Sequence, residues 1–353
     1  MNTVTTSTTT TDNTAITLAT KQSAVEKAGQ VANVYAAGAV FADYLAGKPT
    51  NTRRAQLADL DLFAAFLCIV TDNADCPKAA DLQSTPASWR GVTHGLVTGF
   101  RNWLLQNGYS IASVNRALSS VRIYAELAAK AGVITADALA MIRTVKGLGR
   151  KQGIEVDKQR STTRTGHKKA QNVTLTTDHA KALKLQPDTP QGRRDALLMC
   201  LLLDHGLRVS EVGALSLPDF DLAKGTMTFY RPKVDLTQTH KLTKATLKAV
   251  KAYIDAGDAP AMGSIIRQSA KGGQLGAAGV SERNLSNRVC DLGQRIGVAG
   301  LSAHDCRHYW ATFWAGKVGE FRLMEAGGWT STATARRYVE LASISNEGMD
   351  GDD

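Results

Sequence analysis

The stretch Ala196-Leu-Leu-Met-Cys-Leu-Leu-Leu-Asp-His-Gly206-Leu-Arg208-Val-Ser-Glu211 joins an apolar run directly to a charged pair. The run predicts a buried helix that begins near Arg193 and stops at Gly206. A guanidinium so close to a buried helix needs a partner, because an unpaired buried charge is costly. Arg208 either forms a salt bridge to Glu211 that only serves the fold, or is held by Glu211 and aimed at a phosphate, whose oxygens suit its planar fork.

A second motif, Ser302-Ala-His304-Asp-Cys-Arg307-His308, follows about a hundred residues later. Ser302 can cap a helix on which His304 and Arg307 share one face, since they are three residues apart. A helix start favours anions, Arg binds oxygens and His moves protons, so a phosphate site is one interpretation. A capped helix with ordinary surface charges is the other.

Two more residues have a chemical interpretation beside a structural one. Tyr338 ends the phrase Ala335-Arg-Arg-Tyr338, nine residues after Trp329. As a nucleophile it would gain from cations that stabilise its phenolate, but it could equally be a packed aromatic. Lys233 lies at the tip of a predicted hairpin with strands near 226–230 and 237–242, where lysines are usually only solvated.

The order Arg208, Lys233, His304 with Arg307, Trp329 and Tyr338 resembles the active-site order of the tyrosine recombinases, the family of the phage integrases, the Xer proteins and Cre. The resemblance spans residues 173–341. It departs from the common pattern at Cys306, where Leu is more usual, and at Trp329, where many members have His and Cre-like members have Trp. Lys224 and Lys241 flank the same hairpin as Lys233.

The resemblance implies a role for each of these residues. Tyr338 would attack a DNA phosphate to form a 3′-phosphotyrosyl link, while Arg208 and Arg307 bind the non-bridging oxygens. Lys233 would protonate the leaving 5′-oxygen, His304 would assist proton transfer, and Trp329 would donate a hydrogen bond. Glu211 would brace Arg208. ATP, metal ions and other cofactors would not be needed.

The organisation along the chain predicts a mainly α fold with a small antiparallel β-sheet. Residues 1–50 form an extension, Thr-rich at first and helical from about residue 15, and residues 51–146 a helical core-binding domain. In that domain Thr52 can cap one helix, and residues 89–106 are predicted to form another. Residues 147–172 read as a basic linker, and residues 173–353 as the catalytic domain. By resemblance, the two domains would form a C-shaped clamp around DNA.

Candidate DNA contacts are basic residues outside the motifs. Two lie on the outer face of a predicted helix that Ser110 caps, and the others in or beside the linker; plain solvent exposure is the alternative for all of them. They are Arg116, Arg122, Lys146, Arg150, Lys151, Lys168 and Lys169.

The totals agree with a nucleic-acid partner but do not establish one. There are 42 Lys and Arg against 32 Asp and Glu, a formal net charge of +10. A basic balance favours polyanions. Five cysteines without a C-x-x-C pair argue against disulfides and a zinc site. With no signal peptide or membrane span apparent, a cytoplasmic protein is the expectation.

The resemblance further implies partners and leaves alternatives open. The expected assembly is a homotetramer on two specific double-stranded DNA sites, exchanging strands through a Holliday junction. A type IB topoisomerase or a telomere resolvase would use the same chemistry for a different outcome. A DNA-binding accessory protein that has lost catalysis is the non-enzymatic alternative.

Overall fold

The computed structural model describes residues 23–72, 76–149, 152 and 173–342, with side chains described as far as residue 339. These residues fall into two units, one before and one after the boundary between residues 170 and 171. The predicted mainly helical fold with small antiparallel sheets is confirmed.

The amino-terminal unit is entirely helical in its described part. Six α-helices and one short 3-10 turn follow each other along the chain. They are α1 (Ala24–Ala46), α2 (Thr50–Thr71), α3 (Ala79–Ser84), the turn Pro86–Trp89, α4 (His94–Gln106), α5 (Ile111–Lys130) and α6 (Ala136–Thr144).

An aromatic group lies at the centre of this unit. The Trp89 ring stacks between Phe63 at 5.8 Å and Tyr124 at 6.1 Å, and Phe100 meets Phe63 edge-on at 5.1 Å. All four side chains are buried, and leucines, valines and alanines pack around them. Aromatic residues make up only 6% of the chain, but several of them gather here and form the centre of this core.

Helix starts in this unit differ from the prediction at two positions. Thr52 does not cap α2, because that helix already begins at Thr50, after Pro49. A helix predicted over residues 89–106 is interrupted, since Gly91 has a φ of +81° and α4 begins only after Thr93, whose side chain accepts from the Leu96 amide. Ser110 caps α5 as predicted, accepting from Ser113.

The carboxy-terminal unit combines helices with two small sheets. Its helices are α7 (Thr177–Lys184), α8 (Pro190–Asp204), α9 (Val209–Ala214), α10 (Lys244–Asp255), α11 (Glu282–Arg295), α12 (Ala303–Ala315), α13 (Glu320–Gly327) and α14 (Thr332–Ala342). Its strands are β1 (Phe220–Asp221), β2 (Thr226–Arg231), β3 (Leu236–Lys241), β4 (Arg267–Ser269) and β5 (Leu275–Gly279).

The predicted hairpin is present as the antiparallel pair β2–β3, with Arg231 opposite Leu236 at the tip and Thr226 opposite Lys241 at the base. β1 adds a third, short strand beside β2. The hairpin β4–β5 was not predicted from the sequence. β4 is only three residues long and β5 is rich in Gly and Ala, so neither has the alternating pattern that identifies β2.

Helix α8 contains the apolar run that begins at Ala196, and it is buried on nearly every side. Its chain then turns at Gly206, with a φ of +61°, directly against the Trp310 ring. A Cβ at this position would lie 2.4 Å from that ring, so only glycine fits. This turn delivers Arg208 to the first position before α9.

All five cysteines lie in the described residues and none forms a disulfide bond there; Cys200 and Cys306 are buried. Across the helices of the described ranges, none has both the length and the apolar character of a membrane span.

Candidate active site

Arg208 and Glu211 form the ion pair that their spacing indicated. Arg208 Nη1 donates to Glu211 Oε1 at 2.7 Å, and the Arg208 amide donates to Oε2 at 2.8 Å. The Glu211 side chain is 1% exposed, while that of Arg208 is 24% exposed. The buried carboxylate thus fixes the guanidinium of Arg208 and leaves part of it accessible to solvent.

A second guanidinium binds the same carboxylate, and sequence reasoning missed it. Arg231 Nη1 donates to both oxygens of Glu211, at 3.0 and 2.9 Å. Its side chain is 0% exposed. A signal existed: β2 alternates, so Met227, Phe229 and Arg231 all face inward, and an inward arginine requires a buried acceptor.

Arg307 is a third guanidinium, and its described hydrogen bonds go to backbone carbonyls. Nη1 donates to the Gly206 oxygen and Nη2 to the Gly327 oxygen, each at 2.5 Å. Burial, together with the positive charges of Arg208 and Arg231, lowers its pKa to about 9. It remains charged at neutral pH, beside two other cations, and neither of its hydrogen-bond acceptors among the described residues is a carboxylate.

The end of α13 accepts hydrogen bonds from side chains of three elements. The consecutive carbonyls of Glu325, Ala326 and Gly327 accept from Gln238 at 2.6 Å, Arg231 at 2.9 Å and Arg307 at 2.5 Å, in that order. A helix carboxy-terminus carries partial negative charge, which favours cations. The segment that leads into Trp329 is therefore fixed by β2, β3 and α12.

Tyr338, on α14, is 8% exposed and lies at the same place. Its ring stacks on Trp329, with centroids 5.4 Å apart and planes 15° apart, and also meets the His308 ring at 5.3 Å. Burial raises the pKa of the phenol, while Arg307 and Arg337 oppose that increase. The structure thus brings Tyr338 of this chain close to Arg307 of the same chain.

His304 and His308 lie one turn apart on α12, below the predicted Ser302 cap, which is present. Their Nε2 atoms are 3.0 Å apart, so one ring donates to the other. Burial lowers the pKa of both rings, and for His304 the neighbouring His308 and Arg307 lower it further. Both rings are therefore neutral at pH 7. Sequence reasoning did not assign a role to His308.

Lys233 is exposed in the turn between β2 and β3, two residues beyond Arg231. The competing lysines occupy the opposite end of the hairpin. Lys241 lies at the base of β3, and Lys224 forms an ion pair with Asp221 at 3.1 Å. Lys233 is thus the lysine at the hairpin end that carries Arg231.

The predicted DNA contacts of the amino-terminal unit have mixed surroundings. Arg116 donates to Asp59 Oδ1 at 2.8 Å, yet its side chain is 55% exposed. Arg122 is partly buried, and its Nε has no hydrogen-bond partner among the described residues. Lys146 is exposed, and its carbonyl accepts from Arg101. The remaining linker candidates lie outside the described residues: Arg150, Lys151, Lys168 and Lys169.

Comparison with known proteins gives consistent matches. Residues 173–343 match the model of the phage integrase family. The tyrosine recombinase XerC of Chlamydia muridarum (strain MoPn / Nigg) is 26% identical, over 88% of this chain and 94% of the relative. The tyrosine recombinase XerC of Roseiflexus sp. (strain RS-1) is 22% identical, over 84% and 85%.

Solved structures show the same fold. A lambda integrase dimer bound to a COC′ core site aligns with a TM-score of 0.56 and 15% identity, over 95% of this chain and 84% of that one. The Tn1549 transposon integrase in complex with circular intermediate DNA aligns with a TM-score of 0.57 and 13% identity, over 90% and 99%.

The matching family and the named relatives indicate one class of protein, the site-specific DNA recombinases. Residues 173–343 match the phage integrase family, and the chain as a whole is similar to tyrosine recombinases named XerC.

Proposed function

We propose that this chain recombines two specific DNA sites by cleaving and rejoining strands at the Arg208–Arg307–Tyr338 cluster. The Tyr338 oxygen attacks the scissile phosphorus, the bond from phosphorus to the 5′-oxygen breaks, and a 3′-phosphotyrosyl ester forms. The phenolic proton leaves with the help of His304, and the 5′-oxygen takes a proton from Lys233. Reversal with a new 5′-hydroxyl rejoins the strand, because the ester conserves the bond energy.

One observation carries the proposal: the unbalanced positive charge around Arg307. Arg208 and Arg231 share the carboxylate of Glu211, whereas Arg307 is bound by neutral carbonyls alone in its described hydrogen bonds. Guanidinium groups gathered in this way are stabilised by an anion with several oxygens, and they neutralise the charge that builds on a phosphate during attack. The phenol of Tyr338 lies within the field of the same charge.

The remaining roles follow from position. Trp329 can donate only its indole N–H, so it serves as a hydrogen-bond donor to a phosphate oxygen and not as a proton shuttle. His304 is neutral at neutral pH, which suits it to accept a proton. Charge neutralisation is assigned to arginines, so the proposed reaction needs neither a metal ion nor ATP.

The proposed partner is double-stranded DNA carrying a specific recombination site, met in the cytoplasm. We propose a homotetramer on two such sites with a Holliday-junction intermediate. A solved lambda integrase tetramer bound to a Holliday junction, with a TM-score of 0.54 and 14% identity, supports this assembly by its shared fold. The candidate contacts from Arg116 to Lys169 would bind the DNA backbone beyond the cleavage site.

The test begins by finding the site. Genomic fragments that become covalently attached to the wild-type protein are recovered under denaturing conditions and sequenced, and a nicked suicide substrate is built on the shared sequence. Wild type is expected to give a trapped adduct on a gel. Tyr338→Phe is expected to give none while binding the same DNA, and Tyr309→Phe, on α12, is the matched control that retains the adduct.

Two outcomes would contradict the proposal. An undiminished adduct in Tyr338→Phe would place the nucleophile elsewhere. Relaxation of any supercoiled plasmid, irrespective of sequence, would instead indicate a topoisomerase with the same chemistry.

A further inference from the structure

We propose that Arg231 is a positioning residue, which fixes the hairpin bearing Lys233 against the phosphate site without touching DNA itself. This inference rests on the proposed function, and it concerns a residue that none of the sequence motifs contains.

The guanidinium of Arg231 is engaged on every nitrogen. Nε donates to the side-chain oxygen of Gln238, Nη1 to both oxygens of Glu211, and Nη2 to the Ala326 carbonyl at 2.9 Å. Its side chain is completely buried, and its guanidinium carbon lies 4.7 Å from the centre of the Phe229 ring. With no accessible donor left, Arg231 cannot bind a phosphate, so any effect on the reaction must pass through other residues.

These contacts join three parts of the proposed site. Glu211 also holds Arg208, Gln238 lies on β3 behind the hairpin tip, and Ala326 begins the segment that leads to Trp329. Arg231 is also only two residues before Lys233. A single buried side chain therefore sets where the lysine-bearing turn lies relative to the arginine that would bind the phosphate.

The backbone at the end of α13 passes directly over the Arg231 side chain. Gly328 has a φ of +57°, and a Cβ there would lie 2.5 Å from Arg231 Cδ and 2.7 Å from Nε. Only glycine fits between α13 and this arginine. The close approach on one side and the hydrogen bonds on the other leave the guanidinium a single arrangement.

Burying the charge of Arg231 costs free energy, which argues that this residue does more than fill space. Burial lowers the pKa of Arg231, and Glu211 opposes that change. Apolar residues of similar volume often replace buried ion pairs without loss of stability. What they cannot reproduce is the fixed direction of several hydrogen bonds, which is what a reaction geometry needs.

The experiment compares Arg231→Lys with Arg194→Lys. Arg194 is a matched control, since it is also buried in the carboxy-terminal unit and paired with a buried carboxylate, Asp195, at 2.6 Å. For each variant we would measure DNA affinity and the single-turnover rate of adduct formation at saturating protein, on the nicked substrate. Arg231→Lys should slow the rate on the order of 100-fold with DNA affinity unchanged, whereas Arg194→Lys should slow it by less than about threefold.

A sulfur substrate adds a readout that a loss of folding would not move. Replacing the leaving 5′-oxygen by sulfur gives a thiolate that departs without a proton donor, because thiols are far more acidic than alcohols. On the sulfur substrate, the rate deficit of Arg231→Lys relative to wild type should be at least about tenfold smaller than on oxygen, because the misplaced Lys233 is no longer needed. A rate loss that persists in full on sulfur would overturn the inference, as would equal rates for Arg231→Lys and Arg194→Lys on oxygen.

A milder pair of variants covers the case in which Arg231→Lys does not fold. Gln238→Ala removes the contacts to Arg231 and to the Glu325 carbonyl from a partly exposed strand position, and Thr239→Ala, its neighbour on β3, is the control. A slower rate for Gln238→Ala alone, restored by sulfur, supports the inference, and equal rates overturn it. If wild type itself forms no adduct, the proposed function fails instead.

Discussion

Two buried carboxylates in the carboxy-terminal unit each hold a pair of arginines, yet only one of them belongs to a candidate site. Asp195 binds Arg194 at 2.6 Å and Arg288 at 2.5 Å. Glu211 binds Arg208 at 2.7 Å and Arg231 at 2.9 Å. Both carboxylates are essentially inaccessible to solvent, so burial and pairing alone do not distinguish a functional centre from a structural one.

The difference is a third guanidinium. At the Glu211 centre, Arg307 stands beside the pair, and the charges of Arg208 and Arg231 lower its pKa. One carboxylate thus lies among three cations, and Arg307 is close enough to Tyr338 and His304 to lower the pKa of both. The Glu211 centre has three guanidiniums for one carboxylate, whereas the Asp195 centre has two for one. The larger excess of positive charge is what an anion-binding site requires.

The largest expected effect comes from removing each carboxylate charge. Glu211→Gln and Asp195→Asn each leave two buried guanidiniums without a countercharge, so each should lower the free energy of unfolding by about 3–5 kcal/mol. Chemical denaturation of the two variants measures this. Only Glu211→Gln should also slow adduct formation at a temperature where both variants are folded; an equal slowing would make the two centres equivalent.

Removing one arginine from each centre tests the excess charge directly. Arg307→Gln should reduce the single-turnover rate of adduct formation by about 10²–10³-fold, the usual effect of losing one donor to a developing oxyanion. Arg288→Gln, in the Asp195 centre, should change that rate by less than about threefold, because Arg288 is not part of the proposed phosphate site. Comparable losses in both variants would contradict the assignment of Arg307 to the phosphate.

At these centres the sequence predicts local contacts but not contacts between residues that are distant along the chain. Ser302 and Arg208 were identified because a cap and an ion pair three residues away are local features that the sequence contains. Arg231 was missed because its acceptors, Glu211 and Ala326, are 20 and 95 residues distant, and only the folded chain brings them together. The same reason applies to the pairing of Asp195 with Arg288, 93 residues away.

Element boundaries follow the same rule. The predicted β2–β3 hairpin and the Ser110 cap were confirmed, since alternation and capping are short-range. Helix α14, which carries Tyr338, was not assigned as a helix from the sequence, and the break at Gly91 was overlooked. The motif order nevertheless grouped Arg208, Arg307 and Tyr338, which the structure places near one another, because it depends on residue types and not on their contacts.

The buried His205, at the end of α8, gives a pH-dependent prediction. Burial lowers the pKa of His205 to about 4, so the unfolded chain, with its higher pKa, binds the proton first on acidification. Its contribution to stability is fully present above pH 6.5 and is lost as the pH falls towards 4, by about 3 kcal/mol. Urea unfolding between pH 7 and 4 measures this. His205→Gln should flatten the decline by one proton, while the exposed His94→Gln should leave it unchanged.

The smallest expected effect lies outside both centres, at Arg116. Arg116 is half exposed but its partner Asp59 is buried, so Arg116→Gln, which keeps one side-chain donor, should lower the free energy of unfolding by about 1–3 kcal/mol. If the exposed part of this side chain binds a DNA phosphate, the slope of log affinity against log salt should fall by about 0.9, with the adduct rate at saturation unchanged. Filter binding at several salt concentrations measures the slope. An unaltered slope would assign Arg116 to Asp59 alone, because losing a phosphate contact reduces the number of counterions that binding releases.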